Sequence, residues 1–286
     1  MTELAVTRIS RREHTTIEPA SRWVPLELRE VWRFRELLVT LAGRDVRLRY
    51  RQTALGVAWV VIQPLMAAGV FSLVFGRIAK LGSDGLPYFL SAFAGMLGWN
   101  AFQTTLTKSG SCLLGNSHLV SKVYFPRIVL PLSSIFTALI DFAVAFVMFL
   151  ILLIIYHHPP SIQLLLLPVW LVLILGLALG VGLFVGGLTV SYRDVQYIMP
   201  VMVQFLMFAS PIAYSVSNIS KLSPRMQSLY FLNPLAGYLA AFRWSLLGVG
   251  TVPWGYVGYS VVVTVVLLVS GAYSFRHMEQ RFADVI

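Results

Sequence analysis

Six long stretches of this chain, at about residues 53–76, 85–107, 128–156, 164–190, 195–220 and 251–275, are apolar and almost free of charge. Each supplies the roughly 20 apolar residues that a helix needs to cross a hydrocarbon core. The runs are solid rather than alternating, which argues against the short two-residue-period strands of a membrane barrel. A segment in lipid must satisfy its own backbone hydrogen bonds, and a helix does so within itself. The pattern therefore predicts an all-α integral membrane protein with six transmembrane helices, together forming a transmembrane domain over 53–276. The fourth and fifth runs are separated by Tyr192-Arg193-Asp194, which predicts a tight turn.

Ahead of the first run the period changes. At 100° per residue, Val31, Phe34, Leu37, Leu38 and Leu41 fall within an arc of about 120°. Arg33, Glu36 and Thr40 lie opposite. This predicts an amphipathic interface helix over 26–52, its apolar face in lipid and Arg44, Arg47, Arg49 and Arg51 toward the headgroups. Gly43 is expected to loosen it. Residues 1–25 read as a polar cytoplasmic tail, and 277–286 as a cytoplasmic C-terminus. Between the last two runs, residues 221–250 are too apolar for a solvated loop and are broken by Pro224, Pro234, Gly237, Gly248 and Gly250. Short re-entrant or interfacial helices fit. A seventh full span would place Arg243 in hydrocarbon.

Charge sets the orientation. Of 286 residues 57% are hydrophobic and only 12% charged, whereas a soluble domain carries about a quarter charged residues. The net charge of +10 is concentrated near the start, where eleven arginines precede Gln52. Beside so much apolar chain, the partner for that charge is membrane lipid rather than nucleic acid. With the N-terminus inside, 17 basic residues are cytoplasmic and five external, so both termini are expected in the cytoplasm. Residues 1–51 hold no uninterrupted apolar core, so no cleavable signal is expected there.

Candidate chemistry is sparse. A phosphate-binding P-loop requires a Gly-Lys pair, yet Lys80, Lys108, Lys122 and Lys221 follow Ala, Thr, Ser and Ser. None of the five histidines has metal-ligand spacing with a second strong ligand, and the lone Cys112 makes no intrachain disulfide. Asp141 stands near the middle of the third run, where an unpaired charge is costly. It either lines a wet pathway or is a carboxyl hydrogen-bonded to a neighbouring helix. Gly176/Gly180 and Gly182/Gly186 permit close helix approach, within the subunit or in a dimer. Phe89, Phe93, Trp99, Phe102, Phe205 and Phe208, with Asp141, are the channel candidates; the alternative for each ring is an ordinary lipid-facing or interfacial place.

The stretch Arg44-Asp45-Val46-Arg47-Leu48-Arg49-Tyr50-Arg51-Gln52-Thr53-Ala54-Leu55-Gly56, followed by Trp59 and Pro64, resembles the approach to the first span in polysaccharide-exporting ABC permeases. That group includes O-antigen, lipopolysaccharide, capsule and teichoic-acid exporters. Lys122 through Pro131, Tyr192-Arg193-Asp194, Ser210-Pro211-Ile212 and Asn233-Pro234 add to the resemblance, which covers roughly residues 35–275. It implies a type-2 ABC exporter fold in a bacterial inner membrane, with a second copy of the chain and two copies of an ATP-binding subunit. ATP and Mg would sit in that partner, and this chain would bind no cofactor or metal and catalyse nothing. Gly115, Asn116, Ser117, His118, Leu119, Val120, Ser121, Lys122, Val123 and Tyr124 would form the coupling helix. Arg44, Arg47, Arg49 and Arg51 would line the cytoplasmic entrance and meet the pyrophosphate of a lipid-linked polysaccharide. Three other functions compete. An ABC exporter of a small molecule or lipid shares the fold. An ion-coupled secondary transporter needs several intramembrane ionisable groups, and a membrane-embedded transferase needs an acid/base cluster.

Overall fold

The computed structural model describes residues 28–50, 58–123, 125–212, 214–219 and 222–285. Every regular element among them is helical. In chain order they are α1 (Leu28–Arg33), α2 (Arg35–Tyr50), α3 (Ala58–Phe71), α4 (Tyr88–Gly115), α5 (Ser117–Lys122), α6 (Val129–Ile155), α7 (Leu167–Ser191), α8 (Val195–Phe208), α9 (Val216–Ile219), α10 (Pro224–Phe231), α11 (Pro234–Leu247) and α12 (Trp254–Val285). A π-helical turn, Ser72–Ile78, extends α3, and a 3₁₀ segment, Ile162–Leu166, leads into α7.

Four helical segments are long and apolar enough to cross a membrane: Ala58–Ile78, Val129–Ile155, Ile162–Ser191 and Trp254–Glu279. The second and fifth predicted spans come out differently. α4 runs for 28 residues, about 42 Å at 1.5 Å per residue, and carries Lys108 inside the helix rather than in a loop beyond it. The fifth run breaks instead of continuing to residue 220. α8 ends after 14 residues, about 21 Å, shorter than the roughly 30 Å core. The break falls at Ser210-Pro211, because proline lacks an N–H and pushes the residue before it away from the helical region.

The centre of the molecule is α4, α7, α11 and α12, with α6 against α4. Glycine makes the closeness possible. A Cβ on Gly180 would lie 2.9 Å from the α12 backbone at Leu267 and Leu268. One on Gly186 would lie 2.9 Å from the Ser109 carbonyl of α4, and one on Gly182 would overlap the Ser109 side chain. These glycines are used for packing inside one subunit. α7 ends at Ser191 and α8 begins at Val195, so Tyr192, Arg193 and Asp194 make the whole connection.

Residues 221–250 contain two helices, and the prolines that look like breakers in the sequence stand at their starts. Pro224 and Pro234 open α10 and α11, where a missing N–H costs nothing. Gly248, at φ +69°, closes α11 in the left-handed conformation that L side chains avoid. α11 is no surface helix: Tyr238, Leu239, Phe242 and Leu246 have no exposed area.

The expectation for the interface helix also changes. α2 passes through Gly43 without a break and reaches Tyr50; the Gly43 carbonyl accepts from Arg47 Nε at 3.1 Å. The apolar stripe of α1 and α2 packs on protein along one side. Leu41 is buried, and Val31, Phe34, Leu37 and Leu38 pack on a cluster with Leu113, Val120, Phe125, Val129 and Phe275. Arg51, Tyr124, the tail before residue 28 and the side chains of Arg49 and Ser121 lie outside the described residues.

Candidate functional site

Three places gather polar chemistry: the end of the molecule that carries α5, a cavity along α4, and the opposite end.

At the α5 end, α4 stops at Gly115, where a Cβ would meet nothing within 4 Å, and the chain turns at Asn116. Asn116 holds the elbow from both sides. Its Nδ2 donates to the Cys112 carbonyl at 2.8 Å, and its Oδ1 accepts from Arg44 Nη2 at 2.6 Å. Arg44 also grips Asp45 at 2.8 Å, so its guanidinium links α2 to the start of α5. α5 lies with Val120 buried and Leu119 half-buried beneath it, while His118, Lys122 and Val123 face outward. After α5, Phe125, Ile128, Val129 and Leu130 are buried. Arg127 fixes this segment to α12: its amide donates to Glu279 Oε1 at 3.2 Å and Nη1 to the Glu279 carbonyl at 2.7 Å. A six-residue helix is too short to be stable alone. Here it is tied at its start to α2 through Arg44 and, through the segment that follows it, to α12.

The four arginines predicted to form an entrance are not equivalent. Arg44 is committed to Asp45 and Asn116, whereas Arg47 is exposed. The ligand for Arg44 is thus the fold itself.

The cavity has a volume of about 590 Å³ and is bounded by α3, α4 and α6, with Met207 of α8 at one edge. Asp141 and Trp99 both belong to its wall. The other predicted channel residues are scattered. Phe93 and Phe102 are buried in the subunit core, at 0% and 2% exposure, and Phe89 is half-buried against it. Phe205 and Phe208 stand on the bare side of α8, at 66% and 56%. Of the six rings and one carboxylate, only Trp99 and Asp141 share a wall in this subunit. Apolar character alone does not distinguish a ring facing a pore from a ring in a core, which is why the sequence grouped them.

The opposite end was not legible as a site. Arg243 of α11 is buried but fully engaged. Its Nη1 donates to the carbonyls of Tyr214 at 2.7 Å and Pro211 at 3.2 Å, and its Nη2 to Ser91 Oγ. Asp84, in a left-handed turn at φ +56°, accepts from Ser215 Oγ, and from Ser217 Oγ at 2.6 Å. Asn233 caps α11 through the Leu235 amide at 3.1 Å and donates to Ser210 Oγ at 3.0 Å. Two motifs far apart in sequence, Ser210-Pro211-Ile212 and Asn233-Pro234, thereby meet. A Cβ on Gly95 would lie 2.7 Å from the Ile212 carbonyl, so α4 is pressed against the same turn. A buried arginine with three acceptors is tolerable in a place where a bare one is not. That resolves the cost which made Arg243 look misplaced.

With this geometry in view, comparison with known proteins is informative. The chain aligns over 260 residues with an O-antigen export system permease protein, RfbA, of Myxococcus xanthus at 28% identity, covering 91% of this chain and 98% of that protein. A Klebsiella pneumoniae protein of the same description is 24% identical over 88% of this chain and 95% of its own length. A second Klebsiella pneumoniae relative is 23% identical over 88% and 95%. The ABC-2 type transporter family matches residues 36–247, a stretch that contains the α5 elbow, the cavity and the Arg243 network. An ABC-2 membrane domain works with an ATP-binding partner, in keeping with a sequence that lacks a Gly-Lys pair. This chain belongs to the ABC-2 type transporter family as an integral membrane transport subunit.

Proposed function

We propose that this chain is the permease of an ABC exporter that moves a lipid-linked polysaccharide of the O-antigen kind across the bacterial inner membrane. The observation that carries this reading is the full-length alignment to O-antigen export permeases, which takes in nearly all of both chains. Two copies would form the channel, each crossing the membrane six times with α4 and α8 completing the set. Both termini and α5 would face the cytoplasm.

In this reading each ATPase subunit seats α5. The outward side chains His118, Lys122 and Val123 make the contact, and the clamps Arg44–Asn116 and Arg127–Glu279 transmit it. ATP and Mg belong to the partner, whose closure supplies the work. A coupling element must be rigid, because a compliant one absorbs motion instead of passing it on. α8 buries only Val203 of its own residues, and its exposed apolar face fits a second copy of the chain and the channel between them. Arg47, exposed near the entrance, is suited to a pyrophosphate headgroup.

Deletion of the gene in its host tests the reading. Surface polysaccharide should disappear while lipid-linked glycan accumulates inside, and the tagged chain should bring down an ATPase subunit. Unchanged surface glycan in the deletion strain would refute it.

A further inference from the structure

Inside the cavity, one face of α4 carries a stripe of half-buried polar side chains, while the other faces of the same stretch are buried in the subunit. Asn100, Gln103, Thr104, Thr107 and Lys108 recur at steps of three and one, the spacing of a single helical stripe. All five belong to the cavity wall. Their neighbours on the other faces, Ala101, Phe102, Thr105, Leu106 and Ser109, are buried in the subunit. The stripe from Asn100 to Lys108 climbs about 12 Å. Facing it are Gln63 of α3 and Asp141 of α6.

We propose that this stripe is a binding track for the hydroxyl groups of a neutral glycan in transit, with Gln63, Asn100, Gln103 and Thr104 as its principal hydrogen-bonding residues. The inference deepens the polysaccharide-permease reading and rests on it. Polar side chains at membrane depth are expensive against lipid, so a stripe of them faces water or a polar cargo. The side-chain types select the cargo. A carboxamide both donates and accepts, as does a hydroxyl, and a sugar hydroxyl also does both. Each can therefore exchange partners as the chain advances. The cavity size lies within the range of about 300–1,000 Å³ typical of small-molecule sites, so a short stretch of sugar rings fits. An ion pathway would instead concentrate charged ligands, and among the described residues no three His, Cys, Asp or Glu side chains converge.

The test uses the complete exporter in cells. Cys112 is the sole native cysteine, so a Cys112→Ala background carrying Gln103→Cys places one thiol on the track. Its reaction with a small water-soluble maleimide is followed in inside-out vesicles from cells that make the glycan and from cells blocked in glycan synthesis. Polymer in transit should slow labelling severalfold. In parallel, Asn100→Leu with Gln103→Leu should cut surface polysaccharide severalfold while the ATPase subunit still copurifies in wild-type amount. Asn100→Ser with Gln103→Ser, which keeps hydrogen-bonding capacity, should restore much of the export. Equal labelling with and without polymer, or normal export by the leucine pair, overturns the track and leaves the permease reading intact. Export lost equally in the leucine and serine pairs overturns it too, because side-chain polarity would then be irrelevant. A strain that keeps its surface glycan after deletion of the whole gene removes both readings.

Discussion

α7 and α8 are joined by three residues and are both built from apolar side chains, yet one is packed on most of its length and the other is nearly bare. Trp170, Ile174, Ala178, Gly182 and Gly186 are among many α7 residues sealed between α4 and α12. α8 buries Val203 alone and exposes Tyr197, Met202, Phe205 and Phe208. Composition does not separate the two. What does is glycine: α7 carries small residues at the spacing that lets neighbours approach, and α8 has none. An apolar helix without such residues is free to look outward, toward lipid, a second subunit or a lumen.

The sharpest way to break this contrast is to enlarge α7. Gly180→Leu forces a side chain into the α12 backbone and should destabilise the fold by about 1–3 kcal/mol or more, seen as a lower melting temperature in detergent and reduced membrane insertion. Val201→Leu on the exposed face of α8 adds one methylene to open space and should stay within about 0.5 kcal/mol. Equal losses at both positions would mean that α8 is packed as tightly as α7.

Asn233→Ala comes next in size. It removes a helix cap worth about 1 kcal/mol and the tie to Ser210, so the far end of α8 should loosen. Faster hydrogen exchange confined to α9 through α11 would register it. Arg44→Ala should cost about 1 kcal/mol or less, because the guanidinium is partly exposed. Its effect on function should be greater than on stability: ATP hydrolysed per polymer exported should rise as the elbow at Asn116 loses its brace. The smallest effect on the fold belongs to Phe205→Ala with Phe208→Ala, which should leave the melting temperature of the isolated chain unchanged while weakening self-association or export. A large drop in melting temperature would show that the α8 rings are covered within one subunit.

How much of this is legible in the sequence depends on whether a decision is local. α6 and α7 end within a few residues of the apolar runs at 128–156 and 164–190, because the cost of polar backbone in lipid acts residue by residue. α4 overran its predicted end at residue 107. Its polar residues from Gln103 to Lys108 end the apolar run when counted linearly, yet the helix continues through them with that polarity on one face. α8 fell short because Ser210-Pro211 lies within a run that hydropathy treats as uniform. The interface helix was legible as amphipathic, but not the protein cluster beneath its apolar face, since lipid and a buried core attract the same residues. Of the candidate site, the α5 segment stood out only through family resemblance. Its clamps join Arg44 to Asn116 and Arg127 to Glu279, pairs whose partners are set by the fold and leave no local trace.

The central claim is that this chain provides the passage and takes its energy through α5 from a separate ATPase. Vesicles reconstituted with the purified chain, the ATPase subunit and lipid-linked glycan measure it directly, by glycan made inaccessible to an external lectin. Translocation should require both proteins and ATP hydrolysis together, and should fail when either is omitted. Nucleotide hydrolysis by the purified chain alone, or undiminished translocation without the ATPase, would contradict the account.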